Sequence, residues 1–177
     1  MPDGGRSFYC DAEEGFAYGT AIGKELPDLI EQWLPTKPGW AIGGLSMGGY
    51  GCMRLALTYS ERFISAASHS GALGFGRFVH RNDPEFGKEM VRIYGQHPLG
   101  GPNDLFALIE KAEPRPSIYV DCGEDDFLIE SNRDFNRFLV EKGIEHSYTE
   151  YPGDHNWAYW EEHFPKALAF HRAKLGF

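Results

Sequence analysis

Three short stretches of this chain hold residue types that can do chemistry together. The first is Gly44-Leu45-Ser46-Met47-Gly48, which has G-x-S-x-G spacing. A serine at that place sits on a tight, strained strand-to-helix turn, with its hydroxyl held out over the end of a sheet. The flanking glycines leave room for the crowded backbone. The Met47 backbone N–H then stands at a helix start, where it can stabilise a tetrahedral oxyanion. In a chain with 22 glycines the spacing alone is cheap. Its context gives it weight: a short apolar strand before it and a small-residue helix after it. The plainer alternative is a glycine-rich turn with a capping serine. A phosphate-binding turn would need G-K-[S/T] or G-x-G-x-x-G, and neither is present.

A serine hydroxyl at neutral pH is a poor nucleophile. It needs a base, and the base needs an orienting group. With the nucleophile on a turn of this kind, the order along the chain is serine, acid, histidine. The acid should follow a strand, and Gly123-Glu124-Asp125-Asp126-Phe127 follows Ile118–Cys122. Of the three carboxylates, Asp126 leads directly into the next helix and is the expected acid. Glu124 and Asp125 are expected to be solvated loop charges. His155 lies in Tyr151-Pro152-Gly153-Asp154-His155-Asn156-Trp157, after the last strand and before the last helix. From there a base can reach both Ser46 and Asp126. Among the 7 histidines, His69 is the main rival because it too ends a strand. It is expected to line the substrate pocket, and His80, His97, His146, His163 and His171 have no comparable placement.

Elements of alternating type must position these groups. Ile22, Leu26, Leu29, Ile30 and Trp33 recur at helical spacing over about 20–33, with Pro27 predicted to kink the helix or start a new first turn. Trp40–Leu45 lacks alternation and reads as a short parallel strand buried on both faces. Residues 48–59 read as a helix and 63–68 as a strand. Asp83-Pro84 is predicted to cap and start a helix through Tyr94. A helix capped by Asn103 or Asp104 runs to about Ala112. Strands follow at 117–122 and 147–151, and helices at 127–141 and about 157–174. Strand and helix alternate four times from Trp40 onward. Such crossovers build a mostly parallel sheet with helices on both faces, and the loops at the carboxyl ends of its strands carry the chemistry.

The pocket is less sharply written. The segment 74–116 is expected to be an irregular or helical insertion over the site. Phe75, Phe78 and Phe86 suit an apolar acyl pocket or the core. Trp157, expected as a pocket residue, and Trp160 flank the base loop. They could stack on a sugar or aromatic leaving group, although spacing of three also suits the buried face of the last helix. No metal or cofactor is expected, since Asp154, His155 and His163 form no H-E-x-x-H and the acidic loop lacks EF-hand spacing.

Composition excludes several classes. The chain has 177 residues, the size of one domain. At 42% apolar and 24% charged it is not disordered. With 17 basic and 26 acidic residues the net charge is −9, and no basic patch stands out, so nucleic acid is not an expected partner. No run approaches the roughly 18 apolar residues of a membrane span. Cys10, Cys52 and Cys122 form no C-x-x-C pair or disulfide framework, and no secretory leader is visible. A cytoplasmic location is expected.

Gly44-Leu45-Ser46-Met47-Gly48-Gly49-Tyr50-Gly51, Cys122-Gly123-Glu124-Asp125-Asp126-Phe127-Leu128 and Tyr151–Trp157 together resemble the esterase D and tributyrin-esterase group of α/β-hydrolases. That group is similar to S-formylglutathione hydrolases, feruloyl and acetyl xylan esterases, and the mycolyltransferases. The likeness runs over nearly the whole chain and is weakest over 74–102. It implies a single domain over 1–177 with a three-layer α/β-hydrolase fold, and a serine esterase acting on short-chain carboxylic, thio- or carbohydrate esters of small molecules. The implied triad is Ser46, Asp126 and His155, reached above on other grounds. Met1-Pro2-Asp3-Gly4 resembles the segment just after the family's fourth strand. The resemblance therefore implies first strands, and a loop donating a second oxyanion N–H, ahead of Met1. The expectation for this chain is a fold lacking its first strands, with weak or absent activity in isolation and a strand at Trp40 that is either left uncovered in an incomplete copy or covered by another chain or by a second copy as a homo-oligomer. The alternatives are an acyltransferase using the same triad, or a catalytically impaired fragment or interaction protein.

Overall fold

Four short segments separated by helices fold as parallel strands: β1 Trp40–Leu45, β2 Phe63–His69, β3 Ser117–Gly123 and β4 Ser147–Tyr151. In the computed structural model, which describes residues 1–78 and 83–176, they form one sheet in the order β1-β2-β3-β4. Every neighbouring pair is parallel. Helices α1 Tyr18–Thr20 and α2 Leu26–Trp33 precede the sheet. Between and after the strands come α3 Met47–Thr58, α4 Pro84–Tyr94, α5 Leu105–Lys111, α6 Ile129–Glu141 and α7 Trp157–Leu175.

Side chains alternate across the strands, and the two faces bury different partners. Ala66, Ile118 and Val120 join Met53 and Leu57 of α3, Leu105 and Ile109 of α5, and Phe135 and Leu139 of α6 in the main core. On the opposite face Ala67 and Tyr119 meet Ala167 and Phe170 of α7. The result is helices, sheet, helix: a three-layer α/β fold. The 74–116 segment also contributes to the main core, through Met90 and Ile93 of α4 as well as α5.

The helix boundaries follow local chemistry. The Asp83 carboxylate accepts the Glu85 and Phe86 N–H groups, both at 3.1 Å, ahead of Pro84. Asp104 accepts the Phe106 N–H at 3.0 Å. The predicted helix over 20–33 is present, but Ala21–Glu25 is a π-helical turn. There the Leu26 N–H reaches back five residues to the Ala21 carbonyl. This wider turn sits directly ahead of Pro27, which has no N–H to continue an α-helical ladder.

One expectation about the sheet is corrected. Trp40–Leu45 is not buried on both faces: its residues are half-buried, and Gly43 is exposed. Among the described residues only β2 pairs with β1, so β1 is an edge strand. A groove of about 880 Å³ runs past the amino-terminal ends of β1 and β2, lined by Lys37, Trp40, Tyr59 and Arg62 among others. It lies at the opposite pole from the carboxyl ends of the strands, where open parallel sheets place their chemistry.

Candidate active site

The first functional side chain stands where β1 turns into α3. Ser46 has φ 55° and ψ −119°, a left-handed backbone that few non-glycine residues adopt. Backbone bonds hold it there. The Ser46 N–H donates to the His69 carbonyl at 2.9 Å, and the Ser46 carbonyl accepts from Tyr50 and Ala72, both at 3.2 Å. The turn is so tight that a Cβ on Gly44 would lie 2.3 Å from the Gly48 carbonyl oxygen. That contact explains the first glycine of the motif. Met47 is the first residue of α3, so its amide belongs to the N–H groups that a helix start leaves without an intrahelical partner.

The acid and base loops leave the ends of β3 and β4 side by side. The Glu124 N–H donates to the Tyr151 carbonyl at 2.9 Å and the Asp125 N–H to the Gly153 carbonyl at 3.0 Å. A Cβ on Gly123 would come within 2.4 Å of the Gly153 oxygen. Glu124 and Asp125 contribute these backbone bonds while their side chains face solvent, whereas Asp126 is buried at 1% exposure. One Asp126 oxygen accepts the Leu128 N–H at 2.8 Å. The other lies 2.8 Å from His155 Nδ1. His155 Nε2 lies 2.9 Å from Ser46 Oγ. Ionised Asp126 can only accept, so Nδ1 carries the proton and Nε2 accepts from the serine hydroxyl. The three residues named from the sequence thus form one continuous relay.

His69 does something other than line a pocket. It is 4% exposed, and its Nδ1 pairs with the fully buried Asp121 carboxylate at 2.8 Å. Tyr159 donates its hydroxyl to the same carboxylate at 3.1 Å. The ring lies near Tyr119 and Phe164, on the α7 side of the sheet. Burying a carboxylate requires such partners, and His69 is spent on that pairing. Asp121 was not singled out in the sequence, although a carboxylate inside the apolar run 118–122 is itself a signal.

The tryptophans divide. Trp157 is 63% exposed and Trp160 is 8% exposed. Trp160 donates its Nε1–H to Ser70 Oγ at 3.2 Å, and its ring stands edge-on to His155. Phe75 stacks on Phe8 and meets Phe86 edge-on, so both phenylalanines pack against the core, while Phe78 is exposed. His80 lies outside the described residues.

All three cysteines are free and buried. Burial pushes the Cys52 thiol up to about 12 and the Cys10 thiol up to about 11. Cys52 Sγ donates to the Ala67 carbonyl at 3.1 Å. Protonated, hydrogen-bonded thiols are inert at neutral pH. Among the described residues no group of three or more His, Cys, Asp or Glu side chains could hold a metal ion. No described helix is long and apolar enough to cross a membrane.

A serine on a strained strand-to-helix turn, hydrogen-bonded to a histidine that a buried carboxylate orients, is a serine-hydrolase-type active site, here on a three-layer α/β-hydrolase fold. It is built for ester hydrolysis through an acyl-enzyme. Residues 1–171 match the family described as putative esterase, and the chain belongs to that family. It is 34% identical over 183 residues to an acetyl esterase of Caldicellulosiruptor saccharolyticus, covering 95% of this chain and 69% of that one. Among solved structures it is similar to FphF, a fluorophosphonate-binding serine hydrolase of Staphylococcus aureus. There the TM-score is 0.84 at 29% identity, with 96% of this chain and 69% of that chain covered. It is also similar to the S-formylglutathione hydrolase FrmB of the same organism, with a TM-score of 0.79 at 27% identity, covering 96% and 69%.

Proposed function

We propose that the chain hydrolyses short-chain carboxylic esters of small molecules, oxygen esters or thioesters, with Ser46 as nucleophile, His155 as base and Asp126 as its orienting acid. The observation that carries this is the Ser46–His155–Asp126 relay, at 2.9 and 2.8 Å, on a backbone strained at the serine. In the proposed cycle, His155 Nε2 takes the Ser46 proton as Oγ attacks the ester carbonyl. The Met47 N–H stabilises the oxyanion. Collapse of the tetrahedral intermediate passes the proton from His155 to the leaving alcohol or thiol. Water then repeats the sequence on the acyl-enzyme, releasing the acid and restoring Ser46. Asp126 fixes the histidine tautomer and stabilises the imidazolium that forms at each step.

Small acyl groups are the proposed substrates because similar proteins act as an acetyl esterase and as an S-formylglutathione hydrolase. The exposed Trp157 indole beside the base loop is proposed to meet the leaving group. Residues 1–177 are proposed as one domain, with 74–116 bordering the site. The open outer edge of β1 supports a homo-oligomer that covers it. The three unpaired thiols suit a reducing compartment, and a cytoplasmic location is proposed on that ground.

The test is hydrolysis of p-nitrophenyl acetate and butyrate by the purified chain, with Ser46→Ala beside it and the oligomeric state recorded. Turnover that disappears in the variant is the expected result. Equal rates from two equally folded proteins would reject the assignment.

A further inference from the structure

Among the described residues four non-glycine positions have positive φ: Phe8, Tyr9, Ser46 and Ser70. Strain of this kind persists where the surroundings over-determine it, and it clusters at functional sites. Ser46 is accounted for by the nucleophile turn. Ser70 is not: it lies outside the relay, and its hydrogen bonds run to Asp121 and Trp160. It sits at φ 47°, fully buried, just past the end of β2. Its N–H donates to the Asp121 carbonyl at 2.7 Å, and its Oγ accepts Trp160 Nε1–H at 3.2 Å.

Trp160 in turn touches the base. Its ring centroid lies 5.0 Å from that of His155, with the planes at 87°. A second ring, Phe127, lies 4.5 Å from His155 with the planes at 52°. Phe127 is 75% exposed, so core packing does not explain its place. The soft motion left to the imidazole is a tilt about its Cβ–Cγ bond, which carries both nitrogens off their lines to Asp126 and Ser46. That tilt swings the Nε2 lone pair out of line with the serine O–H, and hydrogen bonds weaken steeply with misalignment. Two rings meeting the imidazole at different angles oppose the tilt, and one of them is itself pinned by a hydrogen bond.

We propose that Ser70, Trp160 and Phe127 form a clamp on His155: positioning residues that act through the base and keep its plane aligned with Ser46. The left-handed backbone at Ser70 is there to present Oγ to the indole. The clamp rests on the esterase reading above for its catalytic consequence, but its geometric content stands apart from turnover.

The experiment uses Ser70→Gly, Trp160→Phe and Phe127→Leu in the full chain. Ser70→Gly relieves the backbone strain while removing the acceptor, so it cannot fail through φ. Trp160→Phe keeps a buried ring and loses the N–H. Two quantities are read: kcat and KM on p-nitrophenyl acetate, and the low-field proton resonance of His155 Nδ1–H by NMR. Circular dichroism and the melting temperature monitor the fold. The expected result is a fall in kcat of roughly tenfold, less than the roughly hundredfold that a misplacement of about 1 Å can cost, because the relay's own hydrogen bonds remain. KM should stay within about twofold, and the Nδ1–H resonance should broaden. An unchanged resonance and kcat in Ser70→Gly and Trp160→Phe would overturn the clamp. So would a lowered melting temperature with kcat per folded molecule unaltered. If wild type and Ser46→Ala hydrolyse alike, the esterase reading fails instead, and the resonance alone decides the clamp.

Discussion

Asp121 and Asp126 lie five residues apart, both closed to solvent, and each holds a different histidine. Asp121 pairs with His69 and Asp126 with His155, each at 2.8 Å. Only the second histidine reaches a serine. The two pairs look alike by residue type, and their neighbours separate them. Tyr159 is a second donor to the first carboxylate, while the Leu128 N–H and the base loop frame the second. One pair is a buried structural link between the sheet and α7, and the other belongs to the proposed chemistry.

Asp126→Asn should leave the fold intact and lower kcat by on the order of 10⁴-fold. The amide can present its N–H₂ to Nδ1 and so stabilise the wrong tautomer. Steady-state hydrolysis of p-nitrophenyl acetate beside a circular dichroism spectrum checks this. A loss smaller than about tenfold would reassign the acid to Glu124 or Asp125.

His69→Ala should destabilise the protein by about 3–5 kcal/mol, because it leaves the Asp121 carboxylate buried without its cationic or N–H partner. Urea unfolding measures the loss. KM for a small ester should move little. A shifted KM with an unshifted urea midpoint would instead return His69 to the pocket.

Stability should fall as the medium becomes acidic. Burial, with the Lys166 charge second, holds His163 below the usual histidine value of 6.5. Burial, with the His69 charge second, does the same to His171. The unfolded chain therefore takes up protons near pH 6.5 that the folded chain refuses. The stability contributed by these groups is fully present above that pH and is lost as pH drops through it. It levels off once the folded values are passed. Urea midpoints between pH 5 and 8 should show this slope, and His163→Phe, which keeps a ring against Tyr151 and Tyr159, should flatten it.

Hydrolysis should be indifferent to iodoacetamide. With Cys10 and Cys52 held at about 11 and 12 and all three thiols buried, the native protein offers almost no thiolate. Mass spectrometry should find little alkylation in the native protein and three modified cysteines in urea. Rapid native labelling with parallel loss of activity would contradict the serine-based proposal.

Local chemistry was enough to place most of the fold. Capping by Asp83 and Asp104 and the apolar runs over 40–45 and 118–122 are short-range signals, and the elements follow them within a residue or two. The triad was legible for a related reason. A nucleophile turn demands small residues around one serine, and the order of strands and loops along the chain then left few carboxylates and histidines in a position to reach it. The π-helical turn ahead of Pro27 was half visible: the proline announced a disturbance but not its form.

What tertiary structure alone decided is which of two similar side chains does which job. His69 and His155 both end strands, and Trp157 and Trp160 both fit the face of one helix. Their separate fates depend on what arrives from elsewhere in the chain. Asp121 comes to His69 across the β2–β3 register, Ser70 comes to Trp160 from 90 residues away, and Phe127 closes on His155 from the acid loop. The half-buried edge at β1 was decided in the same way, because burial is a property of neighbours. By itself the sequence determined what each residue can donate, accept or exclude, together with the local backbone it prefers. Pairing at long range depends on how several elements pack at once, and only the folded chain settles that.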